Sequence, residues 1–331
     1  MAYAEGQRKS ASNEGKENAM TMTPQGKPAA ASLPDNIRAL RDAILGQNPM
    51  HRSFMTAALA NVTPEEMGHL DRYIDFCRQR GLTIAYLADC YLTIVGDTLR
   101  EQIYFQKNKK YRYSSFAQVA DNVYFNEEYM SFYMYGLAIT SFLWPNHLAL
   151  FRFFRDMLPK DKKGAYLEIG PGHGYFLLTA MQRSAYSSFT GVDISETSIA
   201  QTRALLEHFG GGKKGFELLC MDFLDSKLPE NGFDAIVMGE VLEHVEQPEH
   251  FLKQIARLAK KDAYIFVTTC INAPAVDHIY LFSSPEQLEK LFSDCGLKIR
   301  NQLIKPYEGK SLEESLQQLL AINVAYVLER K

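Results

Sequence analysis

Three glycines at alternating positions, Gly170, Gly172 and Gly174, are the residues of this sequence best suited to holding a ligand. They follow a short apolar run, 165–169, and precede apolar residues at helical spacing. Glycine permits backbone conformations that other residues avoid, and such a loop lets a ligand lie directly against main-chain N–H groups. The pattern therefore predicts a strand, a tight ligand-binding loop and a helix.

The residues around this loop indicate which ligand it suits. The spacing is Gly-x-Gly-x-Gly, whereas a dinucleotide-binding loop is Gly-x-Gly-x-x-Gly. Glu168 stands just before the loop, and a carboxylate beside a diphosphate would be repulsive. S-adenosylmethionine instead carries a sulfonium and an ammonium and has no phosphate. A second predicted strand, 188–193, leads to Asp193 and Ile194, where the carboxylate could accept hydrogen bonds from both hydroxyls of a ribose.

Four segments in order, 167–174, 191–195, 220–225 and 237–245, resemble the motifs of class I S-adenosylmethionine-dependent methyltransferases. The resemblance covers residues 161–331 and is greatest to the branch that includes ubiquinone-biosynthesis enzymes. It implies S-adenosylmethionine as the cofactor and a methyltransferase activity.

This resemblance also assigns cofactor contacts to residues that follow two later strands. Asp222 is expected to accept a hydrogen bond from the adenine amino group, with Phe223 against the ring. Gly239 and Glu240, at the end of predicted strand 234–239, are expected beside the cofactor. Ligands of open α/β sheets bind outside the carboxyl ends of the strands, where all four residues would lie.

Two histidines, His244 and His278, could act on the molecule that receives the methyl group. Methyl transfer is an in-line displacement, so a base is needed only when the acceptor must lose a proton. A hydroxyl or ammonium acceptor needs one, whereas a thioether does not. Imidazole titrates near neutral pH, which makes these histidines, with Asp277 beside the second one, candidate catalytic residues. The alternative is that His244 only caps the end of its strand.

The same segment also supports a metal hypothesis. Glu240, Glu243 and His244, with His278, resemble the divalent-metal site of some RNA 2′-O-methyltransferases and some ubiquinone-pathway O-methyltransferases. Two carboxylates and one or two imidazoles could bind Mg²⁺, Mn²⁺ or Zn²⁺ and lower the pKa of an acceptor hydroxyl. The alternative is that Glu240 faces the cofactor and that no metal is bound.

The secondary-structure pattern divides the chain into three parts. Residues 1–32 have almost no large apolar side chain and are predicted to be disordered. Residues 33–160 have helical spacing and are predicted to form a lid and dimerisation domain. Residues 161–331 alternate strands and helices, which predicts an α/β fold with a doubly wound, mostly parallel sheet of seven strands. The last two strands, 297–304 and 321–329, are predicted to form an antiparallel hairpin.

Local signals place the helices of the middle part. Thr63 and Glu66 form a capping box with proline between them, which predicts the start of a helix that runs to Gly81. Further helices are predicted over 82–107, 114–121, 127–143 and 145–158.

Aromatic residues are dense between positions 111 and 154. Most stripes of this kind pack in a core or a dimer contact. The functional alternative is that some rings form the roof of the substrate pocket, and Tyr129 and Tyr133 are the first candidates. A tyrosine face attracts a sulfonium by about 0.5–2 kcal/mol.

Composition narrows the set of partners. The 331 residues carry a net charge of −3, and the basic run 107–112 is interpreted as a solvated loop, so we expect no nucleic acid partner. The five cysteines lie far apart, and no segment suggests a signal peptide or a membrane span, so we expect a cytoplasmic protein. A small-molecule acceptor fits best. Arg112, Arg152 and Arg155 could bind an acceptor carboxylate or could form surface ion pairs.

Other classes of function remain open at this stage. A nicotinamide-dependent oxidoreductase would use the same strand, loop and helix, and a regulator could bind S-adenosylmethionine without catalysis. We also expect a homodimer formed through the helical part.

Overall fold

The computed structural model describes residues 33–212 and 215–331. The segment predicted to be disordered, 1–32, lies outside the described residues. Residues Pro34–Lys331 form one compact unit, in which helices occupy 35–157 and the first strand begins at Ala165. The predicted boundary at 160 between two separate domains stays a prediction.

The first part of the described chain is helical, and its helices begin where the local signals indicate. The capping box is confirmed, because Thr63 Oγ1 accepts the Glu66 N–H at 3.3 Å and Glu66 Oε2 accepts the Thr63 N–H at 2.9 Å. These bonds satisfy N–H groups that have no partner within the helix. The helices are α1 (Asp35–Gln47), α2 (Arg52–Asn61), α3 (Pro64–Gln79), α4 (Ile84–Asn108), α5 (Glu127–Leu143) and α6 (Pro145–Met157).

The prediction of a helix over 114–121 is wrong. The structure has a 3₁₀ turn, Phe116–Gln118, followed by further turns as far as residue 125. The Gln118 side-chain oxygen accepts the backbone N–H groups of Ser114 and Ser115 at 3.0 and 3.2 Å. These bonds close a capping box around a single turn, which continues into no α-helix. This connection brings Tyr124 to the site described below.

The sheet confirms the predicted fold class. Its order is β3-β2-β1-β4-β5-β7-β6, with β1 to β5 parallel and β7 antiparallel to both of its neighbours. Because strand order reverses at β1 and β4, the crevice between their carboxyl ends is where such folds bind ligands. The strands are β1 (Ala165–Ile169), β2 (Ser188–Asp193), β3 (Phe216–Cys220), β4 (Phe233–Gly239), β5 (Ala259–Ile271), β6 (Leu297–Lys305) and β7 (Ile322–Arg330).

The connections between strands are mostly helical, as predicted. They contain α7 (Tyr175–Arg183), α8 (Glu196–Phe209), α9 (Pro248–Leu258), α10 (Pro285–Asp294) and α11 (Leu312–Gln317), and a 3₁₀ turn, Leu242–His244, follows β4. The short helix α11 was not predicted. Strand β5 begins at Ala259, and the exposed residues 260–262 interrupt its apolar pattern.

No single helix among the residues that the structure describes is long and apolar enough to cross a membrane. The bent pair α3 and α4 passes that test only when the two are taken together, by length and composition alone.

Helices α4 and α5 pack closely where Gly136 faces α4. A Cβ built at Gly136 would lie 2.6 Å from the carbonyl oxygen of Cys90 and 2.6 Å from Ile94 Cγ1. Real Cβ atoms do not approach a carbonyl oxygen so closely, and backbone is less able to move aside than a flexible side chain. The absence of a side chain at this position therefore sets the distance between the two helices.

We predict that Gly136→Ala lowers the free energy of unfolding by about 1–3 kcal/mol, because the added methyl overpacks this contact. Denaturant titration of the purified protein measures the effect. Gly46→Ala in α1 is the matched control, since a Cβ at Gly46 would meet nothing within 4 Å. That control should be neutral or stabilising by up to ~1 kcal/mol through helix propensity. Equal stability of the two variants would contradict the close packing.

Candidate active site

A cavity of about 640 Å³ is lined by the carboxyl edge of the sheet and by helices α4, α5 and α6. Most of the residues predicted to bind or react lie in its wall. They are Tyr133, Gly170, Gly172, Asp193, Ile194, Asp222, Phe223, Gly239, Glu240, Glu243, His244, Asp277 and His278. The cavity therefore brings together residues predicted separately for the cofactor and for the acceptor.

The glycine loop is held against the end of β2. Gly170 and Gly172 have φ angles of 63° and 54°, in the left-handed region that glycine adopts at no steric cost. The Gly172 N–H donates to Asp193 Oδ2 at 3.3 Å, and the Ser195 N–H donates to Asp193 Oδ1 at 2.9 Å. Burial raises the pKa of Asp193 to about 6, against the lowering effect of these backbone donors. One carboxylate thus joins two strand ends and faces the cavity.

Gly174 is outside the cavity wall, although it was predicted to bind the cofactor. It precedes α7 with a φ of 80°. A Cβ there would lie 3.1 Å from Leu205 Cδ2 and 3.3 Å from two atoms of Thr202. Its small size therefore serves the packing of the loop on α8, and a contact of Gly174 with the cofactor stays a prediction.

Glu168 is the second predicted cofactor residue that does not reach the cavity. Its side chain is 1% exposed and accepts a hydrogen bond from the Tyr166 hydroxyl at 2.6 Å, two residues earlier on the same face of β1. Burial raises the pKa of Glu168 to about 8. The sequence interpretation assumed a negative charge beside a cationic ligand, whereas the structure has a carboxyl group in the protein interior that is mostly protonated at neutral pH.

Asp222 and Phe223 lie in the wall beyond β3, as the resemblance implied. Asp222 Oδ1 accepts the Leu224 N–H at 2.8 Å, which fixes the turn after the strand. Phe223 is 4% exposed and its ring packs against Phe251 at 5.5 Å. The two side chains are therefore positioned by local bonds and by the core.

The opposite wall holds a histidine paired with a buried carboxylate. His244 Nδ1 lies 3.3 Å from Asp277 Oδ2 and 3.2 Å from the Asp277 carbonyl oxygen. Asp277 is 1% exposed and also accepts the Tyr124 hydroxyl at 3.1 Å and the Tyr133 hydroxyl at 3.2 Å. Sequence reasoning missed Tyr124, whose only signal was its place in the dense aromatic segment. Three donors around one carboxyl group compensate for its burial.

His278 lies beside this pair and is neutral at working pH. Its ring centre is 4.7 Å from that of His244, and Nδ1 lies 2.5 Å from the carbonyl oxygen of Ala273. Burial and, to a smaller extent, the neighbouring His244 lower the pKa of His278 to about 3. The predicted pair of histidines is therefore together in space, and it is His244 Nδ1 that lies 3.3 Å from the Asp277 carboxylate.

Tyr129 is the third predicted residue outside the cavity wall. Its hydroxyl donates to Asp97 Oδ2 at 2.6 Å, and its ring stacks on Tyr133 at 5.9 Å with an interplanar angle of 20°. Burial raises its pKa. Tyr133 therefore lines the cavity, whereas Tyr129 packs behind it, and a contact of either ring with a substrate stays a prediction.

The four residues of the metal hypothesis are also close together. Ligand atoms of Glu243, His244 and His278 lie within 4.8 Å of one another, and so do those of Glu240, Glu243 and Cys270. Sequence reasoning gave Cys270 no role. Burial raises the pKa of Glu243, and its carboxylate accepts the Thr269 hydroxyl at 2.7 Å. Glu240 has a φ of 52°, and its Oε1 is buried without a hydrogen-bond partner.

The three arginines considered for an acceptor carboxylate are engaged elsewhere. Arg112 pairs with Glu101 at 2.9 Å. Arg152 and Arg155 both pair with Glu66, at 2.6 and 3.4 Å. None of the three lines the cavity, so their role as ion-pair partners is the one the structure favours.

Comparison with known proteins identifies relatives of the second part of the chain. Residues 146–319 match the family model described as a methyltransferase domain. The chain is 26% identical over 143 residues to the ubiquinone biosynthesis O-methyltransferase of Nitrosomonas europaea, which is 43% of this chain and 58% of that protein. It is 31% identical to the enzyme of the same name from Dechloromonas aromatica over 118 residues. These residues are 35% of this chain and 47% of that protein. The chain thus spans only about half the length of these curated relatives.

Among solved structures, the fold is similar to that of phosphoethanolamine N-methyltransferase 2 from Haemonchus contortus. The TM-score is 0.48 at 13% identity, over 66% of this chain and 60% of that chain.

The buried Glu168 carboxyl predicts a specific dependence of stability on pH. Its pKa is about 8 in the folded chain against an ordinary value of 4.5, so the unfolded chain ionises first as pH rises. Glu168→Gln removes this linkage. We compare the free energy of unfolding of the variant with that of wild type. Between pH 4.5 and about 8, this difference is predicted to change in favour of the variant by roughly 1.4 kcal/mol per pH unit. Above that range the difference is constant.

Denaturant titrations of the ligand-free variant and wild-type proteins at several pH values measure this difference in the free energy of unfolding. Glu217→Gln, at an exposed position of β3, is the control and should give a difference that does not change with pH. If the difference between Glu168→Gln and wild type also does not change with pH, Glu168 is ionised in the folded protein.

Proposed function

This chain belongs to the methyltransferase-domain family, whose model matches more than half of its residues, and on this premise we propose that it transfers a methyl group from S-adenosylmethionine to a hydroxyl of a small molecule. The observation that carries the proposal is the cavity that contains both the Asp193 loop region and the His244–Asp277 pair. The names of the curated O-methyltransferase relatives support oxygen as the acceptor atom.

The residues of the first wall fit S-adenosylmethionine. Asp193 would accept hydrogen bonds from the ribose hydroxyls, and Asp222 would accept one from the adenine amino group, with Phe223 beside the ring. Glu240 Oε1 is a buried oxygen without a partner, and an ammonium group would satisfy it. When bound, the cofactor supplies a methyl group activated by a positively charged sulfur.

His244 would act as the general base. A proton on Nδ1 is donated to one of the two Asp277 oxygens near it, which leaves Nε2 with the lone pair that accepts the hydroxyl proton. The Asp277 carboxylate would stabilise the imidazolium that forms, while Tyr124 and Tyr133 keep the carboxylate in place. Proton removal by a positioned base contributes about 10²–10⁴-fold to a rate.

Helices α4, α5 and α6 would cover the reacting groups as a lid. The apolar side chains that they contribute to the cavity include Ile94, Met130, Met134, Leu150 and Phe151. Excluding water strengthens the electrostatic interactions inside the site. Formation of a homodimer through the helical part and a cytoplasmic location stay predictions.

A divalent metal is the second candidate, favoured by the proximity of Glu243, His244 and His278. The chemistry of this donor set suits Zn²⁺ or Mn²⁺ more than Mg²⁺, because it includes imidazoles. In this alternative His244 would be a ligand, and no histidine would remain beside Asp277 to act as base. A thioether acceptor would need neither arrangement. The family match does not favour the oxidoreductase alternative.

We predict that Asp193→Asn weakens binding of S-adenosylhomocysteine by at least about tenfold, because an amide accepts at one atom only where the carboxylate accepts at two. Isothermal titration calorimetry measures the Kd. Asp262→Asn, at an exposed position of β5, is the matched control and should bind as wild type does. Binding of a nicotinamide dinucleotide, with no heat from S-adenosylhomocysteine, would refute the proposed cofactor.

We predict that His244→Ala lowers kcat for a hydroxyl acceptor by about 10²–10⁴-fold and leaves the Kd for S-adenosylhomocysteine unchanged. Release of S-adenosylhomocysteine in a screen of small hydroxyl compounds gives the rate. His208→Ala, at an exposed position of α8, is the control and should retain wild-type kcat.

Chelation separates the two candidates for the role of His244. If His244 acts as the base, exhaustive treatment with EDTA leaves the wild-type rate unchanged. Loss of activity that returns only on adding Zn²⁺ or Mn²⁺ would contradict the base and favour the metal. A wild-type rate in His244→Ala would contradict both.

A further inference from the structure

The charge of the cavity wall has one sign. Apart from its histidines, the acidic and basic residues among the described residues that line it are aspartates and glutamates, and none is a lysine or an arginine. Arg100 of α4 is two-thirds exposed and is bound to Asp97, which lines the cavity. A buried carboxylate or phosphate on an acceptor would therefore meet no lysine or arginine and several acidic side chains.

The part of the wall beside β5 and β7 carries neutral amide groups. Asn146 Nδ2 donates to Asn323 Oδ1 at 2.7 Å, and both side chains line the cavity. Asn323 lies opposite Cys270 in the antiparallel pairing of β7 with β5. The predicted cofactor residues follow β1, β2, β3 and β4, and β5 lies between β4 and β7 in the sheet. These amides are therefore separated from the cofactor wall by at least one strand and belong to the acceptor side.

Gln102 adds an unused hydrogen-bond donor to this side. Its Nε2 is buried and has no partner, and the residue lines the cavity from α4. The next turn of α4 reaches the connection before β7, because Gln106 Nε2 donates to the carbonyl oxygens of Gln318 and Leu319 at 3.1 and 2.9 Å. A buried donor without a partner costs free energy, and a ligand oxygen would remove that cost.

We propose that this amide group, Gln102 with Asn146 and Asn323, selects an uncharged acceptor: a hydroxyl compound with a second, neutral oxygen such as an amide, ketone or ether. The inference rests on the proposed methyl transfer and specifies its substrate class. Gln102 donates to the neutral oxygen while the apolar roof covers the rest of the molecule. Acceptors that bear a carboxylate or a phosphate at that position are rejected, because the wall supplies donors without positive charge.

Two phenols that differ only in charge test the proposal. Wild-type protein is first saturated with S-adenosylhomocysteine and then titrated with 4-hydroxyphenylacetamide and with 4-hydroxyphenylacetate by calorimetry. We expect the amide to bind at least about tenfold more tightly than the acid. Equal or tighter binding of the acid, or no binding of the amide, overturns the inference. Failure of S-adenosylhomocysteine itself to bind overturns the proposed function instead.

Variants locate the selectivity at the amide group. Gln102→Leu should weaken binding of 4-hydroxyphenylacetamide by about three- to tenfold, the value of one neutral hydrogen bond. Gln102→Lys, or Asn146→Lys if that variant does not fold, should tighten binding of 4-hydroxyphenylacetate by at least about tenfold. Ile103→Lys is the matched control, because this neighbour on α4 is 63% exposed, and it should leave both affinities unchanged. Equal effects of lysine at 102 and at 103 overturn the assignment.

Discussion

The site depends on hydrogen bonds that continue the parallel sheet past the ends of its strands. The Gly170 N–H donates to the carbonyl oxygen of Val192 at 2.8 Å, and the Met221 N–H donates to that of Asp193 at 2.9 Å. The Glu240 N–H donates to the carbonyl oxygen of Thr268 at 3.1 Å. Each loop is thereby fixed to the neighbouring strand before it turns away. Because all these strands are parallel, the loops converge at one edge, and residues far apart in sequence face a single cavity.

Burying so many carboxyl groups at this edge is costly, and the structure offsets the cost in three different ways. Asp193 accepts backbone N–H groups, which keep its pKa near 6 in spite of burial. Asp277 is surrounded by two tyrosine hydroxyls and a histidine. Glu168 is held mostly as the neutral acid, with its pKa raised to about 8. The Glu168 carboxyl group inside the sheet is therefore mostly neutral, whereas hydrogen-bond donors surround Asp193 and Asp277 at the cavity wall.

Helix α5 connects the two walls of the cavity. Tyr133 donates to Asp277 on the acceptor side, and Met134, the next residue, lies 3.5 Å from the position of a Cβ at Gly172 in the glycine loop. The close packing of α5 on α4 at Gly136 brings Ile94, Asp97 and Gln102 of α4 into the same cavity. A movement of this helix pair would therefore shift residues beside Asp277 and beside the glycine loop together.

The sequence by itself determined the order of strands and helices, the glycine loop and the acids that follow the strands, because turns, caps and hydrophobic periodicity are local. It also located His244 and Asp277, 33 residues apart, at the edge where they meet. Only the tertiary structure decided the partners of these side chains. Groups from distant segments determine four features of the site. These are the protonation of Glu168, the contact of Tyr124 with Asp277, the hydrogen bond of Tyr129 with Asp97 and the unused donor of Gln102. Burial and hydrogen bonding between such segments do not appear in the periodicity of the sequence, which is why the sequence does not predict them.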